Sequence, residues 1–249
     1  MRVCVLNFKK IKAFRYIFKC LTVFALIFSF TYFLVNLYIE SEAYQAVLME
    51  ENDKKIIVID AGHGGEDSGA VGASGVLEKD LNFAFAKELG ALFEERGYAV
   101  VYTRTKDKLL YTEEENIKGF RKINDLKNRC KIAAEYENAL FISLHMNSFS
   151  SSKYSGLQVY YTPENKQSEA LANAVQSTVK SKIQAENNRK IKSGEGIYLL
   201  ENTINTAILI ECGFLSNPEE CRKLTEKEYQ KSLSFAIFCG IIEYINTNS

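Results

Sequence analysis

Histidine and proline are both rare in this chain, at two residues each in 249. With so little proline and no long Gly/Ser stretch between residues 55 and 249, nothing marks a linker that would divide this region. No internal repeat is visible, so solenoid and propeller architectures are not expected. The net charge is zero, and the basic excess of a nucleic-acid binder is missing. No nucleic-acid partner is expected. The six cysteines include no Cys-x-x-Cys pair, which argues against a disulfide scaffold. Cys130, Cys212, Cys221 and Cys239 read as buried thiols packed as small hydrophobes, with Cys212–Cys221 the one bridge worth checking.

What charge there is falls unevenly. Arg2, Lys9, Lys10, Lys12, Arg15 and Lys19 precede residue 20, and no acid accompanies them. Leu21–Leu37 then runs uncharged through "LTVFALIFSFTYFLVNL", and Glu40 and Glu42 follow. A helix rising 1.5 Å per residue just crosses a bilayer core over this length. The basic flank keeps the N-terminus cytoplasmic. We therefore read 1–20 as a basic cytoplasmic segment, 21–39 as a transmembrane signal anchor or signal peptide, 40–54 as a tether and 55–249 as the functional domain. Ser41-Glu42-Ala43 matches a cleavage site poorly, which favours the anchor.

Beyond the tether, strand and helix patterns alternate. Ile56–Asp60 is a short apolar run, as in a strand buried on both faces. Leu81, Phe85, Leu89, Leu92 and Phe93 recur at helical spacing, and Gly97 is placed to end that helix. Strands are expected over Tyr98–Thr103, Ala139–Leu144, Leu157–Thr162, Gly196–Leu200 and Thr206–Ile210. Helices are expected over Asp125–Tyr136, around Leu171–Val179, from Pro218 behind an Asn217 cap, and over Tyr229–Tyr244. The alternation predicts one α/β domain, a twisted and mostly parallel sheet of about six strands with helices on both faces, preceded by the membrane helix.

The two histidines share a setting. His63 follows "IIVIDAG" and His145 follows "ALFISL", so both end a buried strand. Glu211 ends a third such run, "TAILI". Sites in open α/β sheets lie beyond the carboxyl ends of strands. Two imidazoles and a carboxylate gathered there suit zinc, which takes three protein ligands at a catalytic site. Two glutamates compete for the third ligand position. Glu66 forms His-x-x-Glu with His63, the spacing of zinc carboxypeptidases, and Glu78 opens the first helix of the domain. Spacing alone leaves both standing.

The segments "VIDAGHGGEDSGA", "GVLEKDLNFAFAKEL", "VVYTRTKD", "LFISLHMNS" and "AILIECGFLSNPEE" occur here in the order of the zinc-dependent N-acetylmuramoyl-L-alanine amidases. The resemblance covers about residues 55–247. It implies hydrolysis of the amide between N-acetylmuramic acid and L-alanine in peptidoglycan. It also implies zinc held by His63, Glu78 and His145, with Glu211 as the catalytic carboxylate. Ala61 departs from the family pattern, which usually has proline there, and should affect loop stiffness more than chemistry. The "LLYTEEE…KGFRK" stretch at Leu109–Lys122 and the preceding membrane segment resemble the sporulation-associated branch. That branch implies a role in spore-cortex maturation or germination, an extracytoplasmic location that includes the forespore envelope, and leaves room for an activating protein partner. Asp67 and Asn147 are expected to orient the ligands. Arg104 is expected to hold its loop or meet a substrate carboxylate, with a surface salt bridge the plainer reading. The rival functions are a carboxypeptidase using His63, Glu66 and His145, and a membrane-tethered wall-binding protein without catalysis.

Overall fold

The computed structural model describes residues 12–19, 21–24, 26–38, 55–72 and 75–248. The chain divides into two compact units, Met1–Lys54 and Lys55–Ser249. In the first unit, helix α1 (Lys12–Tyr38) is long and apolar enough to cross a membrane. Its phenylalanines, leucines and tyrosines are exposed. Residues 12–19 of this helix lie inside the stretch expected to be a separate basic segment. The expected tether lies outside the described residues.

In the second unit the elements run β1 (Ile57–Ala61), α2 (Glu78–Glu94), β2 (Val100–Tyr102), α3 (Arg121–Ala134), β3 (Leu140–Asn147), β4 (Gln158–Tyr161), α4 (Lys166–Lys182), β5 (Lys192–Ser193), α5 (Tyr198–Asn202), β6 (Thr206–Phe214), α6 (Pro218–Thr225) and α7 (Lys227–Asn248). The six strands form one sheet in the order β2-β1-β3-β6-β4-β5. All neighbours are parallel except β4 and β6. The expected α/β architecture is therefore the observed one.

Alternation along each strand divides the core in two. Ile57, Ile59, Leu140, Ile142, Leu144, Ile208 and Ile210 pack with residues of α2, α4, α6 and α7. Val58, Phe141, Ala207 and Leu209 face the other way and pack with residues of α3 and α5. A side chain buried this fully contributes roughly 1.5–3 kcal/mol, so strands apolar on both faces are held between the two helix layers.

Several local signals act as the sequence suggests. Gly97 takes φ 75°, and Tyr98 N–H then reaches back to Phe93 O at 3.1 Å, closing α2. The Asn217 side chain accepts Glu220 N–H at the start of α6, with Pro218 in the first turn. Two expectations fail. Gly196–Leu200 is not a strand. Its Leu199 and Leu200 are buried on the single turn of α5, and the edge strand is Lys192–Ser193. Short apolar runs do not separate helix from strand by periodicity. Helix α3 starts at Arg121 instead of Asp125, drawing in residues read as irregular. Cys212 and Cys221 form no bridge with each other.

Candidate metal centre

Strand β1 delivers His63 just past its end, and the backbone turns sharply there. His63 adopts φ 61°, a conformation costing a non-glycine residue about 1–3 kcal/mol unless its surroundings impose it. The surroundings do. The Ala61 carbonyl accepts from Arg104 Nε and Arg129 Nη1, both at 2.8 Å. The Gly62 carbonyl accepts from Asn82 Nδ2 at 3.1 Å and Arg104 Nη2 at 3.2 Å. The His63 carbonyl accepts from Arg129 Nη2 at 2.8 Å. Gly64 and Asp67 then exchange two backbone hydrogen bonds of 3.0 Å, and this tight turn returns Asp67 Oδ2 to His63 Nδ1 at 2.8 Å. With Nδ1 so occupied, Nε2 is the nitrogen turned toward Glu78, at 3.1 Å. The glycines have a specific use. A Cβ on Gly62 would lie 2.2 Å from His145 Nε2, and one on Gly69 would lie 2.5 Å from Glu78 Oε2.

Glu78 is the first residue of α2. The helix has no side-chain cap; Glu78 N–H and Lys79 N–H donate to the carbonyls of Ala70 and Ser68. Glu78 Oε2 accepts Ala70 N–H at 2.8 Å. Its Oε1 lies 2.9 Å from His145 Nδ1 and accepts Met146 N–H at 3.1 Å. That last bond has a structural origin. The pairing of β3 with β6 shifts register between His145 and Asn147, so a β-bulge aims backbone at the site. The donor atoms of His63, Glu78 and His145 lie within 4.8 Å of one another.

The electrostatics favour positive charge at this point. Burial alone would raise the Glu78 carboxyl, but hydrogen bonds and charge from His145 and His63 hold it well below the usual carboxylate range. Burial alone would lower His63, yet Glu78 and Asp67 raise it. A carboxylate flanked by two imidazoles is a donor set that a cation satisfies.

Glu211 sits on β6 directly beside His145 of β3. Burial raises its carboxyl to about 7, with His145 opposing and Glu78 adding to the rise. Its Oε2 is buried without a hydrogen-bond partner among the described residues. Leaving such a group unsatisfied costs about 1–3 kcal/mol. An unpaired carboxyl with a raised pKa next to three converging donors fits zinc with its open coordination position.

The structure separates the two candidate third ligands. Glu66 points to Arg121 at 2.8 Å and is half exposed, outside the donor cluster that contains Glu78. Asp67 orients His63 and is itself paired with Lys122 at 2.7 Å. Asn147 is buried and its carbonyl accepts Leu215 N–H, but no side-chain hydrogen bond joins it to the three donors. Arg104 corrects one expectation. It is 2% exposed and forms no surface salt bridge among the described residues, and its donors go to the carbonyls of Ala61, Gly62, Lys79 and Lys106. These four contacts tie its loop to the β1 turn and to the start of α2.

Arg129 is the residue that sequence reasoning missed. It is 1% exposed and pairs with Asp60 at 2.6 Å and Asp125 at 2.8 Å. Ser143 and Thr103 hydroxyls donate to the same Asp60. The signal was present: an aspartate ends a strand apolar on both faces, and a buried carboxylate requires a partner. Asp125 and Arg129, four apart on one helix, could supply it.

Comparison with known proteins bears on the family. Residues 57–243 match the family model described as N-acetylmuramoyl-L-alanine amidase. The germination-specific N-acetylmuramoyl-L-alanine amidase of Bacillus subtilis (strain 168) is 38% identical over 192 residues, 76% of this chain and 79% of that protein. The CwlD amidase of Clostridioides difficile, solved in complex with the GerS lipoprotein, superposes with a TM-score of 0.75 at 40% identity, covering 78% of this chain and all of that one. The catalytic domain of the amidase CwlV from Bacillus (Paenibacillus) polymyxa var. colistinus gives 0.64 at 33% identity, covering 77% of this chain and 98% of that one. The chain thus belongs to the N-acetylmuramoyl-L-alanine amidase family, enzymes that hydrolyse the amide joining N-acetylmuramic acid to L-alanine in peptidoglycan.

Proposed function

We propose that His63, Glu78 and His145 hold a zinc ion and that Glu211 is the proton-transferring carboxylate. The observation that carries this reading is the convergence of the three donors beside the buried, unpartnered Glu211 Oε2. Zinc supplies Lewis acidity toward a water molecule and toward the scissile carbonyl. The protein supplies the rest. Asp67 fixes the His63 tautomer by holding Nδ1, leaving Nε2 for the ion. Glu78 keeps its negative charge because both imidazoles favour its ionised form. Glu211 Oε2 accepts the proton of the attacking water and returns it to the departing alanine nitrogen.

We further propose that α1 attaches the enzyme to the membrane and that residues 55–249 work outside it, on the wall. The germination-specific name of the Bacillus subtilis relative supports a role in spore-cortex maturation or germination. The complex of the Clostridioides difficile relative supports a lipoprotein as a protein partner.

The test is digestion of purified cortex peptidoglycan by the detergent-solubilised chain, with and without chelator, followed by mass analysis. Peptides with a free alanine amino terminus and peptide-free muramic acid are expected, and chelation should stop their release. In the same assay Glu78→Ala should lose zinc, and Glu66→Ala should keep it. The opposite result would transfer the site to the carboxypeptidase arrangement.

A further inference from the structure

The β3–β6 ladder continues past the row that holds Glu211. His145 pairs with Glu211, and the next pair along is Asn147 with Phe214. Two residues of β6 thus stand against one of β3, and this bulge returns Phe214 to the face that carries Glu211. The two pairs are two residues apart on β3, so Phe214 stands about 7 Å beyond the carboxylate along the strands. Phe214 is fully buried. Its cover comes from the β3–β4 connection. The Phe149 and Tyr154 rings lie 5.3 and 6.3 Å from it, and 5.3 Å from each other at an angle of 86°.

The covering rings are themselves open to solvent. Phe149 is 46% exposed and Tyr154 38%. Adjoining aromatic surface with a polar rim is what binding sites present. Here the rim is hydroxyl-rich. The segment "NSFSSSKYS", Asn147–Ser155, sets exposed Ser148, Ser150, Ser152 and Ser155 around the two rings, and Lys153 is its one charge. The segment is fastened at both ends. Phe149 N–H donates to Ser216 Oγ at 3.1 Å, and Gly156 N–H donates to Glu220 Oε1 at 2.8 Å. The Ser155 carbonyl accepts Arg189 Nε at 2.8 Å. The platform is also close to the three donors. Phe149 follows His145 by four residues, so their Cα atoms are no more than about 15 Å apart.

We propose that Phe149 and Tyr154 form a stacking platform for the glycan strand, taking the face of a sugar ring next to the muramoyl residue whose amide is cut. The inference rests on the reading of Glu211 and the three donors as the reacting edge. The muramoyl sugar carries the scissile amide, so the glycan has to pass close beside that edge. A pyranose offers a face of C–H groups, slightly positive, to the negative face of an aromatic ring. Its hydroxyls meet serine hydroxyls, which both donate and accept. A single exposed cation gives little hold on an ionic peptide or a lipid surface, which sets the neutral, hydroxylated part of the substrate ahead of the charged part. Rings fixed from both ends of their loop also lose little freedom on binding.

The experiment is titration calorimetry on the full chain in detergent, with two ligands offered separately. One is a soluble, peptide-free oligosaccharide of alternating N-acetylglucosamine and N-acetylmuramic acid, and the other is the free stem peptide. The wild type should bind the oligosaccharide. Phe149→Ala should weaken that binding roughly tenfold, as expected for one lost aromatic anchor. Phe149→Leu should weaken it as much, because leucine still covers Phe214 but offers no aromatic face. Phe149→Tyr should bind like the wild type. Affinity for the stem peptide should stay the same throughout. A wild type that does not bind the oligosaccharide, which needs no variant to fold, would overturn the proposal. So would full affinity in Phe149→Leu, or a loss that falls on the stem peptide instead. Oligosaccharide binding by a zinc-loaded chain that cleaves no peptidoglycan would count against the reacting edge and not against the platform.

Discussion

The two ends of the centre are built on opposite plans. On the β1 side, every carbonyl from Ala61 to His63 has a side-chain donor, and both oxygens of Glu78 are engaged. On the β6 side, Glu211 Oε2 is buried with nothing to bind among the described residues. On the proposed reading, the contrast separates the groups that would hold the metal, which are surrounded by fixed partners, from the carboxylate that would take up a proton and give it back, which is left open.

The comparison breaks if Glu211 proves structural. Glu211→Gln should lower kcat by roughly 10²–10⁴-fold, with zinc content and thermal midpoint unchanged. Loss of metal or of stability by elemental analysis and calorimetry would place Glu211 among the holding groups. The other side is probed by Arg129→Met. It strands Asp60 and Asp125 without their buried cation, and urea unfolding should show about 3–5 kcal/mol of lost stability. Asp67→Ala should act more gently. The ring of His63 loses its partner, and zinc affinity measured by competition with a chelator should fall about 10–100-fold while the fold persists.

The smallest effect expected is a pH effect. Burial would raise the Asp60 carboxyl, but Arg129, Ser143 and Thr103 outweigh it and hold the pKa below its ordinary 3.8. A depressed folded-state value means the group stabilises fully above 3.8 and loses that contribution as pH falls through the lower folded value. Asp60→Asn should therefore be less stable than the wild type at neutral pH, and the gap should narrow in acid unfolding curves below pH 3.8.

Much of this was legible in the sequence because strand ends announce themselves. Apolar runs stopping at His63, His145 and Glu211 place three polar groups on one sheet edge, and strands β1, β3 and β6 are indeed neighbours. The choice between Glu66 and Glu78 was not legible from spacing. It depends on the turn at Gly64–Asp67, which sends Glu66 outward to Arg121, and on the start of α2, which sends Glu78 inward. Arg104 and Arg129 escaped for another reason. Arginine is usually a surface residue, and only the crowd of carbonyls at Ala61, Gly62 and His63 gives these two a reason to be buried. The short helix at Tyr198 was misread as a strand because a single apolar turn carries no period.

The guanidinium ties on the Ala61–His63 turn have one further consequence. They fasten the turn to helix α3 and to the segment after β2 through the chain's own atoms. In the proposed site the cradle would then be shaped by protein contacts as well as by the ion, and stripping the metal should stop activity while leaving the fold standing.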